Sequence, residues 1–181
     1  MRNEIAVFAG GCFWRTEAIF TRLKGVVSVV SGYAGGNMNN PSYTRVSTGM
    51  TGHAEAVKIT FDPKLISYET LLEVFWATHN PTTLNQQGND TGTQYRSMIL
   101  YTSKPQKEIA EKSKKLLEEK GIYEGSVVTE IAPLKSFYTA EEYHQNYYNK
   151  YTQEPYCTYV INPKIQKLLA KFGKLVKEEY K

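Results

Sequence analysis

The sequence predicts an α+β fold of the split βαβ kind: a mostly antiparallel sheet with helices on one face and a C-terminal extension. Three observations carry this expectation. Alternating or β-branched runs recur at residues 4–9, 26–33, 54–61 and 95–101. Apolar spacing of the helical period follows the first and third of them. The 181 residues show no internal repeat, low-complexity stretch or break in composition, so residues 1–181 are expected to form one domain with one core.

The elements follow in order. Residues 4–9 read as a strand, and Gly10-Gly11 as a turn. A helix then begins at Cys12, with Phe13, Glu17 and Phe20 three to four residues apart. Residues 26–33 form a second strand. Residues 34–52, rich in Gly, Asn, Pro, Ser and Thr, form a long loop of the kind that often carries function. Residues 54–61 form a third strand, ended by Asp62-Pro63. Ser67 caps a helix whose inward face is Leu71, Leu72, Phe75 and Trp76, and Asn80-Pro81 stops it. A second polar loop leads to the strand 95–101. A charged helix over 105–120 ends at Gly121. A strand over 126–131, a helix over 141–148, a short strand over 158–162 and an amphipathic helix from Pro163 complete the chain. That last helix turns Ile165, Leu168, Leu169, Phe172, Leu175 and Val176 inward.

Composition excludes several classes of function. Apolar residues at 41% and charged residues at 22% are ordinary for a globular protein. The net charge of +4 gathers on the two amphipathic helices at 112–120 and 164–181, which reads as solvated faces and not as a nucleic-acid surface. No run reaches membrane-spanning length and no signal peptide is evident, so a cytoplasmic protein is expected. Two distant cysteines make no disulfide framework, and His53, His79 and His144 show no metal-ligand spacing with them. No metal or organic cofactor is expected.

Cys12 carries the chemistry. A thiol at the first turn of a helix meets free backbone N–H groups and the positive end of the helix dipole. That position predicts a lowered pKa and a nucleophilic sulfur, with Arg15 able to lower it further. Glu55, at the start of an apolar strand, is a candidate proton donor whose pKa burial would raise. Tyr43 and Tyr95 each offer one O–H to a small oxygen acceptor. Asp90 lies in the second polar loop, where it either joins a site or caps a turn. From the residues alone the function is a thiol-dependent enzyme or a redox sensor of unstated substrate.

Six further segments share an order. Ala9-Gly10-Gly11-Cys12-Phe13-Trp14 is followed by Ser31-Gly32-Tyr33-Ala34-Gly35-Gly36, Asn40-Pro41-Ser42-Tyr43 and Gly52-His53-Ala54-Glu55-Ala56-Val57. Then come Phe61-Asp62-Pro63, residues 87–97 around Asp90 and Tyr95, and residues 137–145. In this order and spacing, from about residue 4 to 160, the chain resembles the peptide methionine sulfoxide reductase A family. The resemblance implies a two-layer ferredoxin-like sandwich. It implies reduction of methionine S-sulfoxide, free or in oxidised proteins, and repair of oxidative damage as the role. It gives Cys12 as the nucleophile and Glu55 as the proton donor to the sulfoxide oxygen. Tyr43 and Tyr95 bond that oxygen, Asp90 organises the site, and Phe13 and Trp14 form the apolar pocket for the substrate methyl. The product on Cys12 is a sulfenic acid, which a second thiol reduces.

Two departures stand out. Arg15 occupies a place where relatives commonly carry Gly or Cys; it either points to solvent or favours the thiolate. Many relatives recycle the nucleophile with cysteines on a glycine-rich tail, whereas here Pro155-Tyr156-Cys157 is followed by a stiffer segment. Either Cys157 is the resolving thiol, or glutathione, glutaredoxin or thioredoxin reduces Cys12 directly. The alternative function is a thiol redox sensor or a methionine-sulfoxide-binding protein without turnover.

Overall fold

Strand-forming runs must pair their backbone groups, and here they do so in one main sheet. The computed structural model describes residues 2–181. In chain order the elements are β1 (Glu4–Gly10), α1 (Phe13–Thr21), β2 (Val26–Ala34), α2 (Tyr43–Val46), β3 (Ala54–Phe61), α3 (Tyr68–Thr78), β4 (Gln86–Gln87), β5 (Asp90–Thr91), β6 (Ser97–Tyr101), α4 (Lys104–Glu119), β7 (Glu130–Pro133), β8 (Phe137–Thr139), α5 (Tyr147–Lys150) and α6 (Asn162–Phe172). The main sheet runs β7-β6-β1-β3-β2-β8. Its pairs are antiparallel except β6 with β7. β1 and β2 therefore run the same way on either side of β3, joined by α1.

The period of two along each strand sorts the core. Ala6, Phe8, Val57, Ile59, Phe61 and Ile99 share one cluster with Phe20, Phe75, Leu117 and Leu168 of α1, α3, α4 and α6. Phe8 is its centre, with its ring 4.9 Å from Phe75 and 5.6 Å from Phe20. The opposite parity, Val7, Ala9, Ala54, Ala56, Met98 and Leu100, forms a smaller cluster closed by Ala132, Leu134 and Phe137. The helices thus stack on one side of the sheet. The alternation also sets Glu55 in step with Val57 and Ile59, on the helix side.

Helix ends follow the local chemistry. Ser67 accepts from Thr70 N at 3.1 Å and Ser103 from Gln106 N at 3.3 Å. Such caps contribute about 1 kcal/mol each. No helix of the described residues is long and apolar enough to cross a membrane.

Five expectations are corrected. The strand expected at 126–131 begins at Glu130, because Val128 N bonds Pro81 O and the Thr129 hydroxyl bonds that of Ser97. Those groups bond to loop and side-chain partners outside the ladder with β6. The strand expected to start at 95 starts at Ser97, after a 3₁₀ turn over Thr93–Tyr95. The helix expected over 141–148 is broken by Asn146 at φ 55°, whose N–H donates to Glu17 Oε1 at 2.7 Å. Gln145 meanwhile bonds both backbone groups of Ser31. Finally, the strand expected at 158–162 is a π-helical turn over Cys157–Ile161 running into α6. Cys157, Ile161 and Ile165, spaced by four, bury together against Ala18, so helical packing overrides the β-branched composition. The last helix stops at Phe172, and Val176 bridges Leu23 in extended form.

Candidate active site

β1 ends in the middle of the sheet, so the turn after it is enclosed by β3, β6 and the helices. Gly11 makes that turn at φ +98°. A side chain there would also collide with Gln87, whose Cγ lies 2.7 Å from where a Cβ would be. Cys12 is the N-cap of α1, and its carbonyl accepts from Arg15 N at 3.2 Å. Its thiol is free and only 8% exposed.

The neighbouring strands deliver the other groups. β1 pairs with β3 up to Phe8 opposite Val57, and two residues further the register brings Glu55 level with Gly10. Glu55 Oε1 accepts from Phe13 N at 3.1 Å, so the first free N–H of α1 serves the carboxyl. β6 pairs Ser97 with Gly10, and Tyr95 lies two residues before it. Asp90, on the β4–β5 hairpin, accepts from the Tyr156 hydroxyl at 2.6 Å. Tyr43 opens α2, with its N–H on Glu141 Oε2 at 3.0 Å and its ring 4.3 Å from that of His144. Phe13 is buried beside Tyr33 and His144. Half-buried Trp14 stacks on Tyr147 at 3.7 Å and donates from Nε1 to His144 Nδ1 at 3.0 Å.

The electrostatics overturn one expectation. The Cys12 thiol is pushed well above its ordinary value, first by burial and then by the Glu55 and Asp90 charges. The Trp14 N–H and the Tyr156 hydroxyl pull the other way. The helix start therefore does favour the anion, but desolvation outweighs it. Glu55, 2% exposed, is pushed up to about 8 by burial, against the pull of the Phe13 N–H. At neutral pH the carboxyl holds its proton and the sulfur remains a thiol. Burial, then Glu55, also raises the Tyr43 and Tyr95 hydroxyls, which keep their protons and stay donors. Arg15 does not point to solvent: it is 3% exposed and donates to Thr78 O at 3.0 Å.

Sequence alone singles out neither Tyr156, Glu141 nor Tyr147, and gives His144 no role. Glu141 accepts from the Tyr33 hydroxyl at 2.9 Å as well as from Tyr43 N, and so ties β2 to α2. The signal available was the density of aromatic and polar residues over 137–148. Cys157 follows Tyr156 in the chain, yet its side chain is fully buried with Ala18, Ile161 and Ile165.

The three histidines are held by the fold. Gly36 N donates to His53 Nδ1, so its Nε2 carries the proton and donates to Met38 O. His79 lies between Phe75 O and the Ser97 hydroxyl. Among the described residues no group of three His, Cys, Asp or Glu could hold a metal. A cavity of about 610 Å³ lies between α3, α4 and α6 and is lined by none of the residues around Cys12.

Residues 4–175 match the family profile of peptide methionine sulfoxide reductase. The peptide methionine sulfoxide reductase MsrA of Sulfolobus acidocaldarius is 55% identical over 169 residues, covering 93% of this chain and 95% of its own. Reduced Mxr1 from Saccharomyces cerevisiae superposes with a TM-score of 0.79 at 36% identity, over 86% of this chain and 90% of that one. Mxr1 in complex with Trx2 matches at a TM-score of 0.56 and 26% identity, over 81% of this chain and 85% of that one. The likeness extends through sheet, helices and the segments that surround Cys12: the chain belongs to the peptide methionine sulfoxide reductase family.

Proposed function

We propose that this chain reduces methionine S-sulfoxide, free and peptide-bound, to methionine, with Cys12 as nucleophile and Glu55 as acid. The observation that carries the roles is the pair itself: a buried thiol on the N-cap of α1 beside a carboxyl that keeps its proton to about pH 8. A sulfoxide sulfur becomes electrophilic when its oxygen is protonated, and an uncharged Glu55 supplies that proton without repelling the attacking sulfur. Tyr43 and Tyr95 donate hydrogen bonds to the same oxygen. Phe13 and Trp14 form the apolar wall for the methyl group. Asp90 acts through Tyr156, whose hydroxyl it accepts.

The step balances. Methionine sulfoxide and the Cys12 thiol give methionine and a Cys12 sulfenic acid. The substrate S–O bond breaks and the oxygen ends on Cys12; the substrate sulfur gains two electrons and Cys12 loses them. The thiol proton replaces the one Glu55 gave up. A second thiol then condenses with the sulfenic acid, releasing water, and a third frees Cys12 as a thiol. The complex of the yeast relative with Trx2 supports a thioredoxin as reductant. Glutaredoxin or a small thiol such as glutathione would serve the same chemistry. Cys157 as the resolving thiol requires it to leave its buried place beside Ala18.

The strand order β6-β1-β3-β2, with helices on one side, supports reading residues 1–181 as one ferredoxin-like domain with an extension. A cytoplasmic setting suits two unpaired cysteines.

The test is turnover of the S and R epimers of methionine sulfoxide with dithiothreitol. Multiple turnovers on the S epimer alone, abolished in Cys12→Ser, are expected. Turnover of neither epimer would overturn the proposal. With thioredoxin as reductant, loss of activity in Cys157→Ser assigns the resolving role to Cys157; unchanged activity assigns it to the external thiol.

A further inference from the structure

We propose that Arg15 is a positioning residue for the Cys12 sulfur: its guanidinium, fixed beside the turn that carries the thiol, offsets the negative charge that the sulfur takes on as it gives up its proton ahead of attack. The inference rests on Cys12 being the nucleophile.

Arg15 stands one helical turn after Cys12, on the same side of α1. Its Nη1 donates to Thr78 O at 3.0 Å, at the C-terminal end of α3, where the helix dipole favours a cation. Its Nη2 packs against Gly11, 3.1 Å from where a Cβ would stand, beneath the same Gln87 that closes the turn. Gln87 is itself anchored to both backbone groups of Asn80, at 2.9 and 3.0 Å. The guanidinium is thus immobilised between the end of α3 and the Gly11–Cys12 turn.

None of the ion pairs among the described residues includes Arg15, although it is 3% exposed. A buried charge without a carboxylate is costly, and one carbonyl offsets only part of the cost. The groups that favour its positive charge are Tyr156, Cys12 and Asp90. Its charge also disfavours His79 and Lys164 as cations. Cys12 in turn faces Glu55 from β3, Asp90 from β5, Tyr156 from the segment before α6, and Tyr43 and Tyr95. Burial, Glu55 and Asp90 all work against an anionic sulfur there. A guanidinium packed against the Gly11–Cys12 turn favours the ionised sulfur over the thiol by Coulomb attraction. Arginine suits the task because it stays charged when buried, as lysine often does not.

The test is the rate of Cys12 alkylation by iodoacetamide from pH 6 to 10, read by mass spectrometry of the Cys12 peptide in the full chain. Arg15→Gln keeps a donor for Thr78 O and loses the charge. It is expected to shift the pH–rate curve about one unit to higher pH, which slows alkylation at pH 8 about tenfold. Arg15→Lys, whose amine loses its charge more readily when buried, is expected to fall between wild type and Arg15→Gln. An unchanged pH–rate curve in a folded Arg15→Gln would overturn the proposal, since a purely structural arginine would not move it. If Arg15→Gln does not fold, Arg15→Met, which fills similar volume without charge, is read in the same way. Alkylation needs no sulfoxide, so failure of turnover and failure of this inference are separately visible.

Discussion

Glu55 would be charged in water and keeps its proton in the protein, and the Cys12 thiol is held further from ionising than in water; burial is the leading cause for each. A neutral Glu55 is what the proposed step needs, since an ionised carboxylate would repel the sulfur and withhold the proton. Glu55→Gln keeps an acceptor for Phe13 N and removes the acid. It is expected to lower kcat by about 10²–10⁴-fold. In the wild type kcat/KM should fall as pH rises through about 8, where Glu55 loses its proton, and the variant should lack that limb. Steady-state rates from pH 6 to 9.5 check both. Cys12 and Glu55 were legible in the sequence because each announces itself locally: a thiol after two glycines at a helix start, and an acid in step with Val57 and Ile59 on an apolar strand. Tyr156 was not legible, because its partner Asp90 is 66 residues away.

At the scale of elements, α1 is the organising helix, since it carries both the thiol and the anchor for the segment that encloses it. Glu17 Oε2 accepts from the Ser31 hydroxyl at 2.9 Å, and Oε1 from Asn146 N at 2.7 Å. This carboxylate fixes the break between the His144 turn and α5, and with it the ring that holds Trp14. Glu17→Ala leaves the buried Ser31 hydroxyl and the part-buried Asn146 N–H without an acceptor, and a loss of about 1–3 kcal/mol of stability is expected. Urea unfolding checks this, and a Km rise for sulfoxide substrate should accompany it as Trp14 and His144 loosen. The helix expected over 141–148 failed for the same reason: bonds from Glu17 and Gln145 to distant backbone outweigh local helical preference. Strands β1, β2 and β3 were legible because each carries enough alternating or β-branched residues to specify its own period.

Across the whole molecule, two buried groups shape stability against pH with opposite signs. Glu55 is raised to about 8, so its stabilisation is complete below its unfolded value and is lost as pH rises toward 8. His79, buried between Phe75 O and Ser97, is lowered to about 3. Its stabilisation is complete above its unfolded value near 6.5 and is lost as pH falls toward 3. Between about pH 4.5 and 6.5 the two slopes cancel, and stability falls on either side. Thermal unfolding over a pH series should show that plateau. Glu55→Gln should flatten the alkaline limb and His79→Gln the acid limb.

The amino-acid order by itself determined the alternation of strands and helices, the turn that lifts Cys12 to a helix start, and the capping of α3 and α4. These depend on neighbours a few residues apart, where propensity and period act directly. The charge state of Cys12, the burial of Arg15 and the path of residues 141–162 were decided only on assembly. Desolvation and long-range hydrogen bonds depend on what surrounds a group once the chain is packed, and no local pattern encodes that environment.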